Sequence, residues 1–165
     1  MRFTLVDRIL EVEPGRRIRV LKNLTLGEEY LADHFPTFPV MPGVLMLQTL
    51  VEAGSWLLRL TEDFRHSIIT LREAKNVKYG HFMDPGRQLI VTAEMAEDDG
   101  RTAAFKAKGE VEGHQTVSAR VILTRYNLRE QDPRLAAQDE RIVAHWRCMH
   151  AVLQAPEPRS QAANG

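Results

Sequence analysis

Cysteine is nearly missing from this chain. Cys148 is the single one in 165 residues, which excludes an internal disulfide and fits a reducing compartment. Net charge is missing too: 22 Lys+Arg stand against 22 Asp+Glu, so no whole-chain field recruits nucleic acid, and only a local basic patch for an acidic partner stays open. There is no run long enough to span a bilayer comfortably. The most apolar stretch, Val44 to Leu60, is short and interrupted by Gln48, Glu52 and Arg59. The opening residues, Met1-Arg2-Phe3-Thr4-Leu5-Val6-Asp7-Arg8, meet charge too early for a signal peptide. No internal repeat and no metal-ligand spacing stand out; His145 and His150 are five apart, poor geometry for a shared ion, and His81 and His114 read as surface residues. What remains is a cytoplasmic soluble protein of one domain, whose 44% apolar content suffices for a core.

Against that background one stretch is dense with information: His34-Phe35-Pro36-Thr37-Phe38-Pro39-Val40-Met41-Pro42-Gly43-Val44-Leu45. Pro39 and Pro42 stiffen it, each fixing its own φ and restricting the residue before it. Pro42 and Gly43 sit where a helix should begin, a place that tolerates proline because the first N–H groups lack helical partners. A rigid loop therefore brings an imidazole close to an open helix N-terminus, whose N–H donors and partial positive charge suit an anion or a polarised carbonyl.

The rest of the chain supplies a frame. Phe3 to Val12 and Arg16 to Leu26 read as strands around the turn Glu13-Pro14-Gly15. Gly27 to Met41 reads as irregular. Gly43 to Leu60 is the strongest helix: Val44, Leu47, Val51, Gly54 and Leu58 recur at helical steps, and Leu45, Met46, Leu50 and Leu57 leave little of its circumference polar, as in a buried helix. Ser67 to Tyr79 is a long mixed segment closed by Asp84-Pro85-Gly86. Three alternating runs follow, around Leu89–Met95, Ala103–Val111 and Val117–Leu123, joined by Asp98-Asp99-Gly100 and Glu112-Gly113 turns. One long buried helix with about five or six antiparallel strands gives an α+β layer structure, the sheet wrapped around the helix. After a polar connector, Asp132-Pro133 resembles a helix cap, and Leu135, Ile142, Trp146, Met149 and Leu153 mark a second amphipathic helix. The division expected is a domain over 1–128, a helical extension over 129–155 and a disordered tail over 156–165.

The span from about Leu5 to Leu128 resembles the hotdog-fold 3-hydroxyacyl-[acyl-carrier-protein] dehydratases of fatty acid synthesis. His34-Phe35-Pro36 through Val44-Leu45 matches the family signature nearly unaltered; Leu5 to Glu11, Lys22 to Thr25, Pro85-Gly86 and Gln88-Leu89 match its flanking strands and a later turn. The resemblance implies a long helix wrapped by a curved antiparallel sheet. It also implies dimers or assemblies of dimers, with an apolar tunnel at the subunit interface that draws its histidine and its acid from different chains. The implied reaction is reversible loss of water from a 3-hydroxyacyl thioester to a trans-2-enoyl thioester, carried on acyl carrier protein (or CoA), with no cofactor and no metal. His34 matches the base, the backbone N–H of Gly43 matches the oxyanion donor, and Val44 and Gln48 fall among the substrate-binding positions.

The match breaks at the acid. Five residues after Gly43, where the family has Glu or Asp, stands Gln48; four further on, where the family usually has Gln, stands Glu52. Amide and acid are exchanged one helical turn apart, about 5.4 Å along one face. Asp33, where the family commonly has glycine, adds another carboxylate beside His34. Two readings of Glu52 stand: it takes the acid role that Gln48 cannot, its pKa raised by burial, or it makes a salt bridge across the dimer. Arg16, Arg17, Arg19 and Lys22 are either a docking stripe for an acidic carrier or a strand's solvent face. A hotdog thioesterase and a non-catalytic acyl-thioester-binding subunit are the competing functions. The second helix covers the sheet, lengthens the dimer interface or caps the tunnel.

Overall fold

The computed structural model describes residues 4–35 and 37–154. Phe3, Pro36 of the loop motif, and the tail over 156–165 that was expected to be disordered lie outside the described residues. The elements in chain order are β1 (Arg8–Glu13), β2 (Arg17–Asn23), α1 (Tyr30–Asp33), α2 (Gly43–Thr61), β3 (Ile68–Tyr79), β4 (Gln88–Asp98), β5 (Thr102–Val111), β6 (His114–Tyr126) and α3 (Ala136–Leu153). No helix among the described residues is long and apolar enough to cross a membrane.

The six strands form one antiparallel sheet in the order β1-β2-β4-β5-β6-β3. The alternating runs are the centre of it. In β5, Ala103, Phe105 and Ala107 are buried while Lys106 and Lys108 point to solvent, as period-two patterning requires. The hairpin from β5 to β6 turns on Glu112 and Gly113, with φ of 51° and 81°. Two positive φ values in a two-residue loop make the turn whose twist matches the flanking strands.

Helix α2 runs across the concave face of this sheet. Leu50, Leu57 and Leu58 are fully buried, each worth roughly 1.5–3 kcal/mol relative to exposure. Gly54 lets the helix approach closely: a Cβ there would lie 3.1 Å from the Leu123 Cδ1 atom and 3.3 Å from the Phe105 ring. The expected α+β architecture, one long helix wrapped by a curved antiparallel sheet, is what the chain forms.

Three details differ from the expectation. Strand β1 starts at Arg8 because the backbone of Leu5 and Val6 is diverted to the Glu52 carboxylate, at 3.0 and 3.1 Å, and Phe3 falls outside the described residues. The loop from Gly27 to Met41 contains one helical turn, α1, which ends where the His34 N–H donates to the Tyr30 carbonyl at 3.2 Å. The helix after Asp132 begins as a 3₁₀ turn, with the Asp132 side chain accepting from the Arg134 N–H at 3.0 Å, before α3 proper.

One buried carboxylate ties α3 to the sheet. Asp139 is fully buried and accepts from the Ser67 hydroxyl, from the N–H groups of Leu128 and Arg129 at 2.9 and 3.0 Å, and from the Arg129 guanidinium at 3.0 Å. These donors outweigh burial and hold its pKa down at about 2. Trp146 of α3 meets Trp56 of α2 edge to face at 5.6 Å. The second helix therefore seals the C-terminal half of α2.

Candidate active site

The N-terminus of α2 is built as its prolines and glycine predict. Pro42 is the cap residue, and its carbonyl accepts from the Leu45 and Met46 N–H groups at 2.9 and 3.1 Å. The N–H groups of Gly43 and Val44 come one turn too early to find a helical acceptor. Neither donates a backbone hydrogen bond among the described residues, and Val44 is 70% exposed. Gly43 lies under the Tyr79 ring, which a Cβ would approach to 3.0 Å, so the position is closed to a larger side chain unless Tyr79 shifts.

His34 leaves the end of α1 half-buried, its ring centroid 4.6 Å from that of Phe35. Phe35 itself has φ of 49°, a conformation uncommon for a bulky side chain and one found often where a loop is held for function. Around this corner Phe35, Phe38, Val44, Tyr79 and Phe82 are all more than half exposed, with Phe38 and Phe82 meeting edge to face at 5.8 Å. Such a concentration of exposed apolar side chains marks a surface for association.

Gln48 and Glu52, one and two turns further along α2, open into a separate cavity of about 300 Å³. Glu52 spends Oε2 on the Leu5 and Val6 N–H groups, and its Oε1 is buried with no hydrogen-bond partner among the described residues. Burial pushes the carboxyl above its ordinary value, against the opposing pull of the Val6 and Leu5 N–H groups, of Gln48 and of Arg59. His34 does not line this cavity. Within one chain, then, Gln48 and Glu52 come together, Gly43 and Val44 come together, and His34 is not among the cavity residues with the acid.

Arg59, Trp56 and Trp146 also line the cavity. The sequence assigned none of them a site role: Trp146 marked the second amphipathic helix, and Arg59 read as one more interruption of an apolar helix. The signal that marks Arg59 is its place on one stripe with Gln48 and Glu52. The basic stripe of β2 is consumed internally. Arg16 and Arg17 pair with Glu13, Arg19 with Glu11, and Lys22, 4% exposed, with Glu28 at 2.5 Å.

A family model described as a FabA-like domain matches residues 1–120. The 3-hydroxyacyl-[acyl-carrier-protein] dehydratase FabZ of Caldicellulosiruptor bescii is 35% identical over 111 residues, 67% of this chain and 79% of that protein. The chain belongs to this hotdog dehydratase family. The FabZ protein of Listeria welshimeri is 33% identical over 120 residues, covering 73% of this chain and 83% of its own length. Among solved structures, the dehydratase heterocomplex ApeI:P from Xenorhabdus doucetiae has a TM-score of 0.67 at 13% identity, covering 81% of this chain and 90% of that one; at that identity the likeness shows the hotdog fold alone. The dehydratase model ends before α3, so the helix that closes the cavity lies outside the matched residues.

Proposed function

We propose that this chain is a 3-hydroxyacyl-[acyl-carrier-protein] dehydratase acting in cytoplasmic fatty acid synthesis as a dimer. The observation that carries the reading is the open N-terminus of α2, with free N–H groups at Gly43 and Val44, one turn before the polar pair Gln48 and Glu52. The thioester carbonyl sits against the Gly43 N–H, which stabilises negative charge as it develops on oxygen. An imidazole nitrogen of His34 takes the proton from C2. The electron pair left behind forms the C2–C3 double bond as the C3–O bond breaks. The departing oxygen takes a proton from Glu52 and leaves as water, and the proton on His34 returns to Glu52 before the next turnover. Gln48 orients the hydroxyl, and Val44 borders the thioester.

The exposed edge of the sheet supports a dimer. Strand β3 is a twelve-residue edge, mostly exposed, with Leu71 and Tyr79 uncovered. A long, exposed edge of this kind is stable when it is paired. A second copy paired there brings the His34 loop of one chain toward the Gln48–Glu52 cavity of the other, which supplies the juxtaposition that one chain lacks.

The test is incubation with crotonyl- and 3-hydroxybutyryl-carrier thioesters, following enoyl absorbance and free thiol together. Interconversion is the expected result. Thiol release in its place identifies a thioesterase, and binding with neither change identifies a non-catalytic subunit, the reading favoured by the engagement of Glu52 Oε2 with backbone.

A further inference from the structure

Arg59 is 5% exposed, yet its Nε meets no acceptor among the described residues. Arg125, the other deeply buried arginine among the described residues, also has nitrogens without a hydrogen bond, but carboxylates of Glu62 and Asp98 lie within salt-bridge distance of it, and no carboxylate among the described residues lies that close to Arg59. Arg59 instead lies 4.1 Å from the Trp146 ring centroid and 5.7 Å from that of Trp56. The two rings stand at 87° to one another, so the guanidinium is held between them through its charge, and a cation–π contact of this kind supplies no oxygen acceptor for its N–H donors. Desolvation lowers the pKa of Arg59 to about 10, opposed only by the charge of Glu52. A buried cation with open donors is costly and calls for an anion.

The cavity beside it has room for such an anion. Gln48, Glu52, Ser55 and Arg59 all line it, a stripe at helical spacing that runs about 16 Å along α2. Ser55 is satisfied by the Val51 carbonyl at 2.8 Å, which leaves Arg59 as the donor at the far end. The near end is the Gln48–Glu52 pair. The Trp146 ring that holds the guanidinium comes from α3, beyond the residues matched by the dehydratase model.

We infer that this cavity selects acyl thioesters whose chain ends in a carboxylate, gripped by the edge of Arg59. The planar fork of the guanidinium fits two carboxylate oxygens, where a methyl-ended chain leaves the donors unpaired. The identity of the thioester end rests on the dehydratase reading above; the grip on the distal anion rests on Arg59 alone.

The experiment uses the full chain and trans-2-enoyl carrier thioesters in a length series, each with a methyl, a carboxylate or a carboxylate methyl-ester terminus. Turnover is followed by enoyl absorbance, and affinity by calorimetry with unreactive thioether analogues. At the length that fits, the carboxylate chain is expected to show a KM and a Kd about tenfold to a hundredfold below those of its ester, the worth of a charge-assisted hydrogen bond. Arg59→Met collapses that ratio and Arg59→Lys retains part of it; where Arg59→Met fails to fold, the wild-type and Arg59→Lys ratios decide. Equal affinity for acid and ester at every length overturns the inference. An affinity gap without turnover of any chain supports it while overturning the dehydratase reading, and turnover without a gap does the reverse.

Discussion

Glu52→Gln separates the chemical role of this side chain from its structural one. In the native fold Oε2 accepts the Leu5 and Val6 N–H groups. A glutamine carbonyl oxygen can keep both bonds, and its amide group then falls where Oε1 already lacks a partner. Stability should therefore change by no more than about 1 kcal/mol, since one buried unsatisfied polar atom replaces another. Glu52→Ala strands two N–H groups at a cost of about 1–3 kcal/mol each. The proton available to a leaving hydroxyl is lost in both variants, and positioned acid catalysis contributes about 10²–10⁴ in rate. Urea denaturation and enoyl hydration, measured on the same preparations, read the two effects apart. Glu52→Gln is expected to melt like wild type and to lose at least about a hundredfold in kcat. Full activity in Glu52→Gln refutes the acid assignment. A large loss of stability in the same variant refutes the account of the two backbone bonds. Because burial raises the Glu52 pKa, its folded form binds the proton more tightly than the unfolded chain does. Its contribution to stability is thus complete below the ordinary value of 4.5 and is lost as pH rises through the folded value. The rate falls over the same upper window if the protonated form is the acid.

Four further outcomes follow from the geometry. His34→Ala should lower kcat by about 10²–10⁴ with little change in the melt, because the ring's one aromatic neighbour among the described residues is the exposed Phe35; an active variant would remove His34 as the base. Asp139→Ala orphans four donors and should cost about 3–5 kcal/mol, seen as early loss of α3 signal in the Trp fluorescence melt. Since the folded Asp139 pKa is depressed from 3.8 to about 2, its contribution is present above pH 3.8 and lost as pH falls through 2, which an acid titration of stability checks. Leu71→Lys on the β3 edge, exposed in the single chain, should shift sedimentation from dimer to monomer while leaving the fold intact by circular dichroism; because Leu71 also lines the Gln48–Glu52 cavity, sedimentation and not activity reads the interface.

Much of the fold was legible because its signals are local. The alternation of Ala103, Phe105 and Ala107 against lysines depends only on which face of one strand is buried, and the Glu112-Gly113 turn only on two φ values. The unbroken apolar surface of α2 likewise announces a buried helix. The loop corner was legible for the same reason: Pro42 and Gly43 define a helix start wherever they occur. Pairing partners were less accessible. Strand β3 lies beside β6, and nothing in Ile68–Tyr79 alone names that neighbour.

Residue by residue, the sequence showed a helix start at Pro42-Gly43, a histidine in the loop before it, and Gln48 and Glu52 in the reverse of the family's order. Those are properties of short segments and of spacing along one helix. The tertiary structure decided what the displaced acid touches and what stands behind it. Glu52 meets the backbone of Leu5 and Val6, forty-seven and forty-six residues away. Arg59 is enclosed by a tryptophan from a helix at the other end of the chain. Burial, and the absence of an acceptor for its Nε among the described residues, are sums over neighbours distant in sequence, so the state of Arg59 becomes visible only once α3 is packed against α2.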